Sequence, residues 1–190
     1  DGRGAQQIGL PPWDVPDTLD ALMPDLATDP ERGLFSRQWR DSGILRVPLG
    51  TIDLPAEQRR ETLVVDLSGA GGHMAVIGGP LTGKSTALRS LVMALSLTHT
   101  PQEVQFYIMD FGGGGFASFD GAPHVAGVAT RDRTDIVNRM ILEIESIIDD
   151  REKYFRQHRI DSMTTYREGH ARGQHDDGYG DIFLVVDGWS

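Results

Sequence analysis

Gly78, Gly79, Pro80, Leu81, Thr82, Gly83, Lys84 and Ser85 fit the pattern G-x-x-x-x-G-K-[S/T] at every fixed position. Glycines at those points let successive backbone N–H groups curl around a phosphate. Lys84 brings a compact cation to the β- and γ-phosphates of a nucleotide. The Ser85 hydroxyl stands where Mg²⁺ needs an oxygen. A helix starting here adds the positive end of its dipole. Thr86, by analogy with other phosphate loops, is placed to hold the α-phosphate. Residues 78–86 therefore read as a nucleotide site for ATP and Mg²⁺, with Ser85 as a metal ligand.

Such a site usually takes a second oxygen from an aspartate at the end of an apolar strand. Two stretches qualify: QFYIMD, ending at Asp110, and IFLVVD, ending at Asp187. Asp187 is the better match, because its strand comes later, after the helices. Asp110 reads as a loop-entry residue near the site. ATP-hydrolysing motors usually follow the second aspartate with a glutamate that activates water. Here that position is Gly188. General-base catalysis is typically worth about 10²–10⁴-fold, so a site of this kind binds Mg-ATP and hydrolyses it slowly. The Asp110-Phe111-Gly112 triplet is not a kinase signal, because the rest of the kinase set is absent. The six histidines show no metal-ligand spacing. His124 reads as a packed or exposed histidine, and Arg131 and Arg133 as solvated charge or as groups facing a neighbouring subunit.

The elements that must position these residues alternate. GILRVPLG, TLVVDLSG and HMAVIGG are short β-branched or apolar runs ending in glycine. LRSLVMALSLTH places Leu88, Leu91, Val92 and Leu95 on one helical face. EVQFYIMD and PHVAGVAT are further strands, the first followed by four glycines at 112–115. Ile136, Val137, Met140, Ile141, Ile144, Ile147 and Ile148 form the stripe of a long helix, capped by Thr134 or Asp132 and running to about Gln157. DDREKYFRQH reads as its solvated end. DSMTTYREGHARG predicts a shorter helix, HDDGYG a turn, and DIFLVVD the last strand. This alternation predicts an α/β fold with a mainly parallel sheet flanked by helices. Residues 1–33, with prolines at 11, 12, 16, 24 and 30, read as a linker docked on the surface through Leu10, Trp13, Leu19, Leu22 and Leu26. Residues 34–190 form the ATPase domain.

The 190 residues are enough for one domain with its own core. There is no cysteine, which excludes disulfides and thiolate metal sites. No apolar run approaches the ~20 residues that cross a bilayer. Net charge is −10, with 18 Lys and Arg against 28 Asp and Glu and no basic run. Phosphate backbones are held by clustered Lys and Arg, so nucleic acid is a disfavoured partner.

QRRETLVVDLSGAGGHMAVIGGPLTGKSTALRSLVMALSLTHTPQEVQFYIMDFGGGG, PHVAGVATRDR, REKYF, IDSMTTYR and YGDIFLVVDGW together resemble the EccC family. Its members are FtsK/SpoIIIE-type ATPases of bacterial type VII (ESX) secretion systems. The resemblance runs from about Leu10 onward and is nearest to the second of the family's tandem ATPase modules. It implies a RecA-like P-loop NTPase fold, hexameric rings, and a place on the cytoplasmic face of the inner membrane. The implied function is support for the export of WXG-type proteins. The implied partners are the motor's other ATPase modules, the membrane channel components and the secreted substrates. Asp187-Gly188 stands where the family's first module has Asp-Glu. The resemblance also implies a further strand between the phosphate-loop strand and the Asp187 strand, lying past Ser190, and hence a module that is incomplete at its C-terminus. Two other functions are alternatives: an FtsK-like DNA translocase, which the acidic charge, the lack of a basic stripe and Gly188 oppose, and a platform for substrate peptides or regulation, which the intact Gly78–Ser85 loop opposes where it would bind no nucleotide.

Overall fold

Strand β5 (Val104–Asp110) is the spine of the structure, a computed structural model that describes residues 17–69 and 72–189. It lies between two parallel neighbours, β6 (Val125–Thr130) and β7 (Asp181–Asp187), in the order β6-β5-β7. Strand residues alternate in direction, and β5 is covered on both faces. Val104, Phe106 and Ile108 enter one core; Tyr107 and Met109 enter another. A parallel strand buried on both faces needs the near-continuous apolar run seen here.

The first core is made with helix α3 (Lys84–Ser96), whose Leu91, Val92, Ala94 and Leu95 are buried. The long strands β3 (Arg46–Leu54) and β4 (Arg59–Asp66) add Val47 and Val65 to it, and Leu45, just before β3, joins them. They do not join the parallel sheet but pair with each other as an antiparallel hairpin, with a register shift between Pro48 and Gly50. The second core is made with helix α4 (Thr134–His158), through Met140 and Ile147 and the flanking Ile136, Val137 and Ile144. The stripe read from sequence is wider than the contact. Ile141 and Ile148 are 40% and 51% exposed.

The chain from residue 17 onward packs against the first core. Helix α1 (Leu19–Leu22) leads to Met23, which is fully buried, and Leu19 and Leu26 lie against the same cluster. A small hairpin, β1 (Ala27–Asp29) with β2 (Gly33–Phe35), precedes helix α2 (Arg37–Asp41). Trp39 donates its indole N–H to the Leu22 carbonyl at 2.9 Å. Leu10 and Trp13 lie outside the described residues.

Three expectations need correction. His73–Ile77 was to be the strand that leads into the phosphate loop. It pairs with no strand among the described residues, and Ile77 is 93% exposed. An extended segment becomes a strand only where a neighbour supplies the ladder of hydrogen bonds, and none lies beside it. Neither Thr134 nor Asp132 caps α4. The N-cap is Arg133, without a side-chain cap bond, and Asp132 accepts from the Thr130 hydroxyl instead. The end of α4 is not merely solvated. Phe155 stacks on Tyr166 of helix α5 (Met163–Ala171) at 5.3 Å between ring centroids. Arg151 donates to the Asp177 carboxylate and to the carbonyls of Tyr179 and Gly180. Together with a two-point Arg167–Asp181 pair, this fixes where β7 begins.

Candidate nucleotide site

The phosphate loop turns through two left-handed residues, Leu81 (φ 59°) and Gly83 (φ 87°). Gly78 leaves room for Thr82, since a Cβ there would sit 2.5 Å from its hydroxyl oxygen and force that side chain to turn away. Thr82 donates that hydroxyl to the Gly79 carbonyl at 2.9 Å, and the Lys84 ammonium donates to the same oxygen. The loop is therefore folded on itself, with Gly79, Pro80 and Leu81 at its exposed surface. Gly83 is the N-cap of α3 and makes no side-chain cap bond. The first N–H groups of a helix have no intrahelical partner. With no acidic residue in the first turn, they are open to an anion, and Lys84 can join them by leaving the Gly79 carbonyl. Ser85 is half-buried on that turn.

α3 carries a second link that the sequence did not reveal. Arg89 donates to the Thr86 hydroxyl oxygen at 3.3 Å and to the Gly115 carbonyl at 3.3 Å. It thus ties the helix behind the phosphate loop to the glycine run that follows β5. A lone arginine on a helix gives no sequence signal for such a role.

The glycine run folds over the carboxyl ends of β5 and β7, the edge where ligands of α/β sheets bind. Asp110 and Asp187 are register partners there, 3% and 6% exposed. Asp110 accepts the N–H groups of Gly112 and Phe116 at 3.2 and 3.0 Å, so its carboxylate holds the loop. The Asp187 carboxylate accepts no hydrogen bond from any described residue. Its oxygens are not sealed from solvent. A carboxylate of this kind can serve a hard cation such as Mg²⁺, which takes only one or two protein oxygens beside phosphates and water, and Ser85 is the other oxygen that the phosphate-loop pattern offers such an ion. Among the described residues no cluster of three or more His, Asp or Glu side chains competes for a metal.

Gly188 follows with φ 72°. A Cβ there would lie 2.6 Å from the Gly112 N and Cα and 2.8 Å from the Phe111 carbonyl carbon. The other sequence candidates sit apart from catalysis. His124 bonds the His99 carbonyl oxygen at 2.6 Å, and Arg133 pairs with exposed Asp135. Arg131 donates to the Gly188 carbonyl at 3.2 Å and lies 5.6 Å over the Phe111 ring.

Residues 34–189 match the family model described as FtsK/SpoIIIE family. The ESX secretion system protein EccC of Thermomonospora curvata is 49% identical over 189 residues, which is 99% of this chain and 14% of that protein. Two solved structures superpose closely. The cytoplasmic domain of the Thermomonospora curvata type VII secretion ATPase EccC gives a TM-score of 0.87 at 48% identity, over 98% of this chain and 22% of that one. ATPases 2 and 3 of the same EccC, in complex with a signal sequence peptide, give 0.86 at 49% identity, over 93% of this chain and 32% of that one. The fold is a RecA-like P-loop domain.

Proposed function

The chain belongs to the FtsK/SpoIIIE family, and we propose that it is an ATP-binding module of a type VII secretion motor that hydrolyses its nucleotide slowly. One observation carries this: a phosphate loop at the head of α3 is accompanied by a largely buried Asp187 whose carboxylate has no donor among the described residues, and the next residue, Gly188, has no side chain. Gly78 to Ser85 hold the phosphates through backbone N–H groups and Lys84, and Thr86 holds the α-phosphate. Ser85 and Asp187 hold Mg²⁺, which neutralises phosphate charge. No side chain at 188 polarises water. Nucleotide at this site then acts as a clamp on the module's shape more than as fuel.

The motor's cargo is proposed to be WXG-type protein, recognised with the help of its other ATPase modules and the membrane channel components, at the cytoplasmic face of the inner membrane and in a hexameric ring. Likeness to an EccC structure holding a signal sequence peptide supports a protein cargo. The excess of 28 acidic over 18 basic residues makes a DNA cargo a poor fit. Among the described residues no helix is long and apolar enough to cross a membrane, so attachment to the channel is assigned to other parts of the motor. Secretion of a WXG-type substrate by cells carrying Lys84→Ala in this module tests the proposal. Export should fall sharply; unchanged export with the protein present at normal levels would count against it.

A further inference from the structure

We infer that Gly188 is locked against the Gly112 backbone, so that the packing of this chain's own 111–116 turn excludes a water-activating side chain at position 188. The inference rests on Gly78–Ser85 and Asp187 forming a Mg-ATP site. In that setting Gly188 looks like a lost glutamate that one substitution would restore. The geometry points elsewhere.

Two separate constraints act on Gly188. Its φ of 72° lies in the left-handed region, where a Cβ collides with its own backbone. Its Cβ direction is also filled by the Gly112 N and Cα at 2.6 Å and the Phe111 carbonyl carbon at 2.8 Å. These are backbone atoms and cannot swing aside as a side-chain tip can. Gly112 is packed tightly in turn, since a Cβ there would lie 3.1 Å from Asp187 Oδ2 and that carboxylate would have to give way by a few tenths of an ångström. The hard constraint is the one on Gly188.

The lock is held on four sides. Phe111 donates its N–H to the Asp187 carbonyl at 2.9 Å, extending the β5–β7 ladder by one rung. Asp110 takes the Gly112 and Phe116 N–H groups. Arg89 holds the Gly115 carbonyl, and Arg131 holds the Gly188 carbonyl. A side chain at 188 must therefore push back the Phe111–Gly112 backbone or draw its own backbone out of the Arg131-held corner. The 111–116 turn also covers Asp187, so any gain of a base comes with loss of the metal ligand's setting. Slow hydrolysis is a property of the packed turn, and fast hydrolysis by this module would need a base from outside the 187–188 corner.

The experiment uses the full-length protein with Gly188→Glu, Gly188→Ala and a control, Gly113→Ala. Gly113 has an ordinary φ and nothing within 4 Å of its Cβ direction. Thermal unfolding, Mg-ATP affinity and phosphate release are read for each. Both Gly188 variants should lose more than about 5 °C in Tm, or fail to fold, while Gly113→Ala stays within about 1–2 °C. Turnover in Gly188→Glu should stay within about 3-fold of wild type. The inference is overturned if Gly188→Ala unfolds with the control, or if Gly188→Glu keeps its Tm and gains the 10²–10⁴-fold of a working base. Failure of the wild-type protein to bind ATP would instead defeat the nucleotide-site proposal, while the Tm comparison would still decide the lock.

Discussion

Asp110 and Asp187 stand opposite each other in register at the ends of β5 and β7, and their carboxylates have opposite environments. Asp110 is saturated by two backbone N–H groups of its own loop. The Asp187 carboxylate accepts no hydrogen bond from the described residues. Removing the first should therefore cost stability, and removing the second should cost metal. Asp110→Ala leaves the buried Phe116 N–H unpaired, at about 1–3 kcal/mol, while the Gly112 N–H lies at the exposed turn, so denaturant unfolding should register a loss of about 1–3 kcal/mol. Asp187→Asn should unfold within about 1 kcal/mol of wild type and lose the Mg²⁺-dependent part of ATP affinity. Equal stability losses in the two variants would contradict this division.

Lys84 donates to the Gly79 carbonyl within its own loop and must leave it to meet a phosphate. A charge-assisted hydrogen bond is worth about 1.5–3 kcal/mol. Calorimetric titration of Lys84→Ala with Mg-ATP should show a Kd weakened at least about 10-fold. Because Lys84 is at the exposed head of α3, the Tm of the apo protein should barely move.

Arg151 lies at the foot of β7, with its side chain 15% exposed and that of Asp177 1% exposed. Breaking a buried pair by removing one partner strands the other charge. The cost is about 3–5 kcal/mol for a fully buried pair and correspondingly less for a partly exposed one. Arg151→Ala also takes a donor from the Gly180 carbonyl and leaves the Tyr179 carbonyl with only the long bond from the Tyr166 hydroxyl at 3.5 Å. Chemical denaturation should show one of the largest losses of any single substitution outside the cores, about 3 kcal/mol. A loss under about 1 kcal/mol would mean β7 is held in place by its ladder alone.

His99 is 1% exposed, and burial pushes its pKa down to about 4, with nearby Arg40 adding to the effect. Its Nε2 accepts the Leu45 N–H at 3.1 Å, which requires the neutral ring. Between about pH 6.5 and 4 the unfolded chain binds a proton there that the folded chain refuses. Stability from this residue is therefore complete above pH 6.5 and declines as pH falls toward 4. The slope of unfolding free energy against pH over that window should be shallower in His99→Gln. An unchanged slope would assign acid sensitivity to the carboxylates alone.

Much of this architecture is written locally. The run VQFYIMD alternates two faces and is buried on both, and the Ile-rich stripe of α4 starts and stops within a residue or two of its sequence limits. The phosphate loop is legible because its chemistry fixes residue types at fixed spacing. What was not legible depends on distant neighbours. His73–Ile77 has strand composition, yet pairing is a property of the sheet around it. Asp110 and Asp187 end equally apolar strands, and only the folded glycine turn shows which carboxylate is already satisfied. Arg89 and Arg151 carry no motif, since they act by reaching carbonyls 26 or more residues away. Gly188 is visible in sequence as a missing side chain, but that the Phe111–Gly112 backbone fills its place is a fact of packing.

The most direct measurement is phosphate release by the full-length protein under saturating Mg-ATP, with every other ATPase module inactivated and Lys84→Ala in this module as the control. Turnover at the background of that control, alongside measurable ATP binding by the wild-type module, is the predicted result. Release at least 10²-fold above the Lys84→Ala background would contradict it, because a base would then be acting at a site whose own corner offers none.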